Sequence, residues 1–362
     1  MPRTVLHDVF DLGQSAWLDT ISRSLIASGG LAQWIDQGVV GVTTNPSIFE
    51  GAIAKTEDYD REIAEMAGRG KSASDIYEAL TLQEVGAAAD IMRPVYDRTK
   101  GQDGYVSLEV NPLLASDLAS TVSEAKRLFS VLNRPNVMIK IPATPEGVAA
   151  VEQCIAAGVN VNATLIFSEE QYASVAEAYI KGLKARAAKG ESLAVASVAS
   201  VFVSRVDTAV DKALAAKGEN SLCGTIAVDG IRLTYQRFKK IFSGAEWEAL
   251  AARGAKVQRP LWASTGTKNP AYSDVKYVQE LIGPDTVNTV PPATLTAFLD
   301  HGKARAAIEN DLDGARTRMK RLNEAGVDLS AVCARLLADG LESFNGAFRS
   351  LLAAIETKAG KK

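Results

Sequence analysis

Cysteine and histidine are scarce, and their scarcity removes whole classes of function. Three cysteines, Cys154, Cys223 and Cys333, lie far apart in odd number without a C-x-x-C pair, which argues against a disulfide framework or a structural zinc site. The two histidines, His7 and His301, stand near opposite ends of the sequence and make a histidine-rich metal site unexpected. An excess of either charge is also missing: the formal net charge of −3 gives no general attraction to nucleic acid or to an anionic membrane. No apolar run reaches the ~18 residues of a membrane span. The opening Met1-Pro2-Arg3-Thr4-Val5-Leu6-His7-Asp8 lacks the apolar core of a signal peptide, so a cytoplasmic protein is expected. Fixed-period repeats, low-complexity tracts and Pro/Gly/Ser-rich linkers are absent, and the basic Lys358-Ala359-Gly360-Lys361-Lys362 reads as a frayed end.

What the sequence does have is core material. Its 362 residues are 47% hydrophobic and 23% charged, as in a globular protein. Length alone permits two average domains or one large barrel with insertions. Pattern decides between them. Short apolar or β-branched runs occur at residues 15–19, 39–44, 105–110, 137–141, 159–167, 193–200, 260–264 and 286–290, each followed by helical periodicity. Strands alternating with helices predict a parallel sheet, and eight of them predict a (β/α)8 TIM barrel whose functional groups gather at the carboxyl ends of the strands. The expected organisation is one domain over residues 1–362, with helical insertions at about 51–104 and 201–259 and a C-terminal helical extension at about 303–357.

Several helix boundaries have a mechanism. Thr144-Pro145-Glu146 offers an N-cap hydroxyl, a proline at the first helical position and an acid in the first turn. Ser168-Glu169-Glu170-Gln171 has the form of a capping box, and Gly190 is the expected stop of that helix. Near the C-terminus, Leu337, Leu341, Phe344, Phe348, Leu351 and Ile355 form a stripe at helical spacing. The stripe predicts packing across the barrel, with an oligomer contact as the alternative; monomer and homodimer both remain open.

The most telling stretch is Val137-Met138-Ile139-Lys140-Ile141-Pro142-Ala143-Thr144. A lysine between apolar, largely β-branched neighbours sits in a short buried strand, where a charge is least welcome. Desolvation favours the neutral amine of a lysine, and a neutral amine is the nucleophile that attacks carbonyls, so Lys140 is a candidate Schiff-base residue. The alternative is a lysine at a strand edge whose stem lies on the sheet and whose head reaches water or a carboxylate.

Candidate partners cluster at the predicted strand ends. Asp19 ends the first, Thr43-Thr44-Asn45-Pro46-Ser47 leaves the second, and Glu109 followed by Asn111-Pro112 leaves the third. Asn160, Asn162 and Thr164 interrupt the fifth, a placement that requires hydrogen bonds to one another or to a ligand. The sixth leads to Ser200 and Arg205. After the seventh, Ser264-Thr265-Gly266-Thr267-Lys268-Asn269-Pro270 combines hydroxyls, a glycine and a lysine where barrels commonly bind phosphate, and Arg205 could add a bidentate contact. Singly, each has a bland alternative as a cap, an internal network or a solvated charge. Two decoys are set aside. Gly70-Lys71-Ser72 echoes a phosphate-binding loop, but Glu65 stands where the first glycine belongs, so it reads as an exposed turn. Arg232, Arg237, Lys239 and Lys240 read as a solvated helix face.

Taken together, Gly41-Val42-Thr43-Thr44-Asn45-Pro46-Ser47, Val106-Ser107-Leu108-Glu109-Val110, Met138-Ile139-Lys140-Ile141-Pro142-Ala143-Thr144, Asn160-Val161-Asn162-Ala163-Thr164-Leu165-Ile166-Phe167 and Ser200-Val201-Phe202-Val203-Ser204-Arg205 resemble the segments of the transaldolase family, in the same order. The resemblance implies a barrel enzyme needing neither metal nor cofactor. It implies transfer of dihydroxyacetone from a ketose phosphate (sedoheptulose 7-phosphate or fructose 6-phosphate) to an aldose phosphate (glyceraldehyde 3-phosphate or erythrose 4-phosphate) in the non-oxidative pentose phosphate pathway. Carried over by position, the Schiff-base lysine is Lys140, the aspartate of carbon–carbon cleavage is Asp19, and the pair acting through a bound water is Glu109 and Thr164. Asn45, Asn162 and Ser200 match residues that hold the dihydroxyacetone unit, and Arg205 and Ser264 match phosphate contacts. Shorter family members follow that serine with an arginine two residues on; Lys268 is the candidate replacement here. Related fructose 6-phosphate aldolases carry glutamine in place of Glu109 and tyrosine in place of Phe202, so both residues point to a transaldolase. The remaining alternative is a non-catalytic barrel that binds sugar phosphates.

Overall fold

The computed structural model describes residues 3–360. Seven parallel strands form one curled sheet: β1 (Gln14–Leu18), β2 (Val106–Glu109), β3 (Val137–Pro142), β4 (Val161–Ile166), β5 (Ser197–Phe202), β6 (Arg259–Ala263) and β7 (Thr286–Val290). Their order is β1-β7-β6-β5-β4-β3-β2, so β1 and β2 are the edges. Every strand residue is buried, as expected where helices cover a parallel sheet, and this explains the near-continuous apolar runs.

Residues 39–44, expected as a strand, do not form one. Val42 makes isolated parallel bridges to Leu18 and Val106. Backbone bonds nevertheless run to both edges of the sheet: Leu18 N–H donates to Gly41 O and Thr43 N–H to Leu18 O, each at 2.9 Å, while Val42 N–H donates to Tyr105 O at 2.9 Å and Ser107 N–H to Val42 O at 3.0 Å. Gly41 lies flat against the Trp17 indole, where a Cβ would come within 2.5 Å of the ring. That close approach accounts for an irregular segment in place of a ladder.

The expected run 193–200 is likewise displaced. Ala196 donates its N–H to the Asn160 side chain at 2.9 Å, outside the ladder, and β5 begins at Ser197 and continues to Phe202. Thr144 does cap helix Pro145–Ala156, accepting Gly147 N–H at 2.9 Å. Of the expected capping box, Ser168 accepts Gln171 N–H at 3.2 Å, but Gln171 Oε1 instead accepts the Phe167 N–H at 3.0 Å. Gly70 and Lys71 are exposed in the turn before helix Ala73–Arg98. On helix Ile226–Ile241, Lys239 pairs with Glu309, whereas Arg232 is tucked beside Asp229 and departs from the solvated face expected of it.

The amino-terminal end of the sheet is closed by a buried charge network. Asp103, fully buried, accepts from Ser15 Oγ (2.9 Å), Trp17 Nε1 (3.0 Å) and Arg259 Nη2 (2.9 Å). The carboxyl end is crossed by helix Leu329–Gly360, which presents the expected stripe inward. Phe348 meets Tyr77 edge to face at 5.1 Å, Ser350 Oγ donates to Glu50 at 2.8 Å, and Cys333 Sγ donates to Phe167 O at 3.2 Å. The frayed end expected from Lys358 onward is not found at Lys358–Gly360, which are helical. Lys358 is still helical and bonds to Asp60 and Thr56 O, while Lys361 and Lys362 lie outside the described residues.

Candidate active site

Parallel register lines up the central groups. Glu109 on β2 stands beside Lys140 on β3, and Lys140 beside Asn162 on β4. Because side chains alternate across a strand, these three project to one face of the sheet. Lys140 is 5% exposed, so burial is established. Its Nζ donates to Thr44 O at 3.1 Å and lies 3.7 Å from Glu109 Oε2, an ion-pair contact longer than a hydrogen bond. Burial pushes the Glu109 carboxyl up to about 7; Lys140 opposes that rise and the Asp19 charge adds to it.

Asp19 follows β1, fixed by its N–H to Val290 O at 3.0 Å, and its Oδ1 accepts from Thr43 Oγ1 at 2.7 Å. Desolvation holds this carboxyl above its ordinary range, against the opposing pull of Lys140, Thr43 and Lys268. Asn162 Oδ1 accepts from Ser200 Oγ at 2.7 Å, and its Nδ2 donates to Ser107 Oγ at 3.1 Å. Thr164 Oγ1 and both oxygens of Glu109 are buried without a hydrogen-bond partner among the described residues. Such groups are normally satisfied by water or ligand. Beside Thr164, the register slips between Ala163 and Ile166 and Leu165 adopts φ 58°, the kind of bulge that re-aims side chains near functional sites.

A cavity of about 160 Å3 opens above Lys140, roughly ten times the ~10–15 Å3 that one water requires. Asp19, Asn45, Lys140, Ser200, Phe202, Arg205, Ser264 and Lys268 all line it. Glu109, Asn162 and Thr164 do not, and reach it only through their neighbours. Asn45 also caps helix Pro46–Phe49 by accepting Ile48 N–H at 3.0 Å, so its bland reading holds alongside its place in the wall. Arg205 lies 5.4 Å over the Phe202 ring, and burial lowers its pKa. Ser264, at φ 56°, brings its Oγ to 3.0 Å from Ser204 Oγ.

Four contributors escaped prediction. Thr43 and Ser107 lie inside the quoted motifs, Thr43 in a run of candidate partners, but the sequence assigns neither a role of its own. Thr289 lines the cavity and bonds to Thr43. Phe344, from helix Leu329–Gly360, forms part of the wall, yet its helical spacing announces only packing.

No group of three or more His, Cys, Asp or Glu among the described residues is arranged to hold a metal ion. No described helix is long and apolar enough to cross a membrane.

The fold is α/β, and a buried lysine near carboxylates, beneath a cavity walled by arginine and hydroxyls, is an arrangement suited to attack of an amine on a carbonyl. The family model Transaldolase/Fructose-6-phosphate aldolase matches residues 16–355, and the chain belongs to that family. Among similar curated proteins, "Transaldolase" of Trichodesmium erythraeum is 45% identical, with 98% of each chain covered. "Transaldolase" of Thiobacillus denitrificans is 47% identical over 97% of this chain and 99% of its own, and that of Neisseria gonorrhoeae 46% over the same shares.

Proposed function

We propose that the protein is a transaldolase, a transferase of carbohydrate metabolism that moves a dihydroxyacetone unit between sugar phosphates through a Schiff base on Lys140. The observation that carries this is the joint placement of a buried Lys140, Glu109 at 3.7 Å, and Asp19 and Arg205 in one cavity wall. Near-full-length similarity to proteins named transaldolase supports it.

In this mechanism Lys140 Nζ adds to C2 of a ketose phosphate, sedoheptulose 7-phosphate or fructose 6-phosphate. Loss of water from the carbinolamine gives a protonated imine, with Glu109 and Thr164 moving protons through a water held between them. Asp19 then takes the C4 hydroxyl proton. The C3–C4 electron pair flows into the imine, an aldose phosphate leaves, and an enamine of three carbons stays on Lys140. It attacks the aldehyde of glyceraldehyde 3-phosphate or erythrose 4-phosphate, Asp19 returns its proton, and hydrolysis frees the amine. Asn45, Asn162 and Ser200 hold the dihydroxyacetone hydroxyls. Arg205, Ser264 and Lys268 receive the phosphate, and Phe202 and Phe344 exclude water from the enamine. The chemistry needs no metal or cofactor.

The same proposal makes residues 1–362 one domain, a (β/α)8 barrel whose eighth stave is the segment 39–44. Its backbone bonds to both sheet edges support that closure.

Borohydride reduction in the presence of fructose 6-phosphate, followed by intact mass and peptide mapping, tests the covalent step. A reduced three-carbon adduct on Lys140, absent from Lys140→Ala, is expected; active folded enzyme without an adduct would remove the mechanism. Turnover that requires an aldose phosphate acceptor separates transfer from simple release of dihydroxyacetone by an aldolase.

A further inference from the structure

Asp207 and Asp211 take no part in the chemistry above, yet both are fully engaged. They stand one turn apart on helix Ser204–Ala215, the helix that carries Arg205 at its start. Asp207 is 1% exposed; its Oδ1 accepts the Ala227 N–H and its Oδ2 the Tyr277 hydroxyl, each at 2.8 Å. Asp211 repeats the arrangement. Its Oδ1 accepts the Gly224 N–H at 2.8 Å and its Oδ2 the Tyr272 hydroxyl at 2.7 Å. Each carboxylate therefore grips backbone just before or within helix Ile226–Ile241 with one oxygen and a tyrosine with the other. Hydrogen bonds to a carboxylate are shorter and stronger than neutral ones, so these are firm ties.

Both tyrosines belong to the stretch after β6 that carries Lys268. Elsewhere the stretch is held by Thr265 Oγ1 donating to Asn288 at 2.8 Å and by Asp274 with His301 at 3.0 Å. Between those anchors, Thr267 Oγ1 bonds to Ser273 O at 2.8 Å and Asn269 accepts Ala271 N–H at 2.9 Å, both within the stretch itself. Lys268 is exposed, and an exposed lysine has wide rotamer freedom, so the reach of its ammonium is set by the backbone that bears it. A second cavity, lined by Asp207, Asp211, Lys268, Tyr272 and Tyr277, shares Lys268 with the catalytic one. The ties thus sit directly behind the lysine.

We propose that Asp207–Tyr277 and Asp211–Tyr272 form a double latch that positions Lys268 over the cavity mouth, making Tyr272 and Tyr277 specificity-determining positioning residues that favour phosphorylated over unphosphorylated sugars. The proposal rests on the assignment of a substrate phosphate to Arg205 and Lys268. The latch joins the two contributors, because Arg205 and both aspartates ride on one helix.

The test uses Tyr272→Phe, Tyr277→Phe and Asp211→Asn, with Lys268→Ala alongside, assayed at saturating fructose 6-phosphate with erythrose 4-phosphate or unphosphorylated erythrose as acceptor. Loss of one such hydrogen bond is expected to raise KM for erythrose 4-phosphate about three- to tenfold. Saturated kcat and the kcat/KM for erythrose stay unchanged, which a merely structural defect would not allow. Equal losses on both acceptors would overturn the latch. So would unaltered kinetics in the tyrosine variants while Lys268→Ala raises KM, an outcome that leaves the phosphate assignment standing. If Lys268→Ala itself has no effect on the phosphorylated acceptor, the assignment fails and the latch with it.

Discussion

Glu109 and Lys140 are direct neighbours across the β2/β3 ladder, with 3.7 Å between carboxylate oxygen and amine nitrogen and both side chains almost wholly buried. A proton exchanged between substrate, amine and carboxyl in such a place need not pass through bulk solvent. The carboxyl pKa of about 7 puts that exchange near neutrality.

Replacing Glu109 with Gln should remove one inflection near neutrality from the pH profile of kcat/KM. It should also alter stability in a defined direction. Unfolded glutamate titrates near ~4.3, whereas the folded group titrates at about 7, so the folded state binds this proton more tightly. The stabilisation is full below pH ~4.3 and is lost as pH rises through 7. Urea unfolding of wild type and variant between those limits should show their difference changing by on the order of 3 kcal/mol. A pH-independent difference would mean the carboxyl is not held protonated.

Ser200→Ala should cost about 1–3 kcal/mol, because it leaves Asn162 Oδ1 buried without its donor. With Asn162 freed to turn beside Lys140, kcat is expected to fall by an order of magnitude or so while the adduct still forms. Single-turnover adduct formation compared with steady-state rate checks this; equal losses in both would place the defect in imine formation.

Phe344→Ala opens the wall above Lys140. Water then gains access to the enamine, and the ratio of free dihydroxyacetone to transferred product should rise several-fold. Product analysis by chromatography measures that ratio. An unchanged ratio with reduced turnover would assign Phe344 to packing alone.

At the opposite end of the sheet, Asp103→Ala strands the buried Arg259 guanidinium, a loss on the order of 3–5 kcal/mol. Calorimetry should show a clear drop in Tm, and the protein still folded at low temperature should retain wild-type KM. A shifted KM would reveal coupling between the two ends.

The strands and most polar strand ends were legible because their signals are local. Residues 286–290 form a strand with those bounds, and Asp19, Lys140 and Arg205 stand where the pattern put them. The misread segments obey contacts that are distant in sequence. Nothing around Gly41 announces that Trp17 will lie against it, so 39–44 reads as an ordinary strand. Ala196 gives its N–H to a side chain thirty-six residues earlier, Asn160, while its carbonyl still accepts from Val161. Phe344 shows the same limit in a helix, since a residue that walls a cavity and one that fills a core share the same spacing. Glu109 was legible as a carboxylate, but its placement 3.7 Å from Lys140 is a matter of strand register.

Helix Leu329–Gly360 makes the cavity depend on a part of the chain far from its strands. Phe344 follows the lysine, the carboxylates and the arginine in the sequence, and the helix that brings it to the cavity is tied further along where Lys358 meets Asp60. One part of the wall around Lys140 is therefore borne by a helix and not by a strand, so a change that loosens this helix can reach the cavity without altering the sheet.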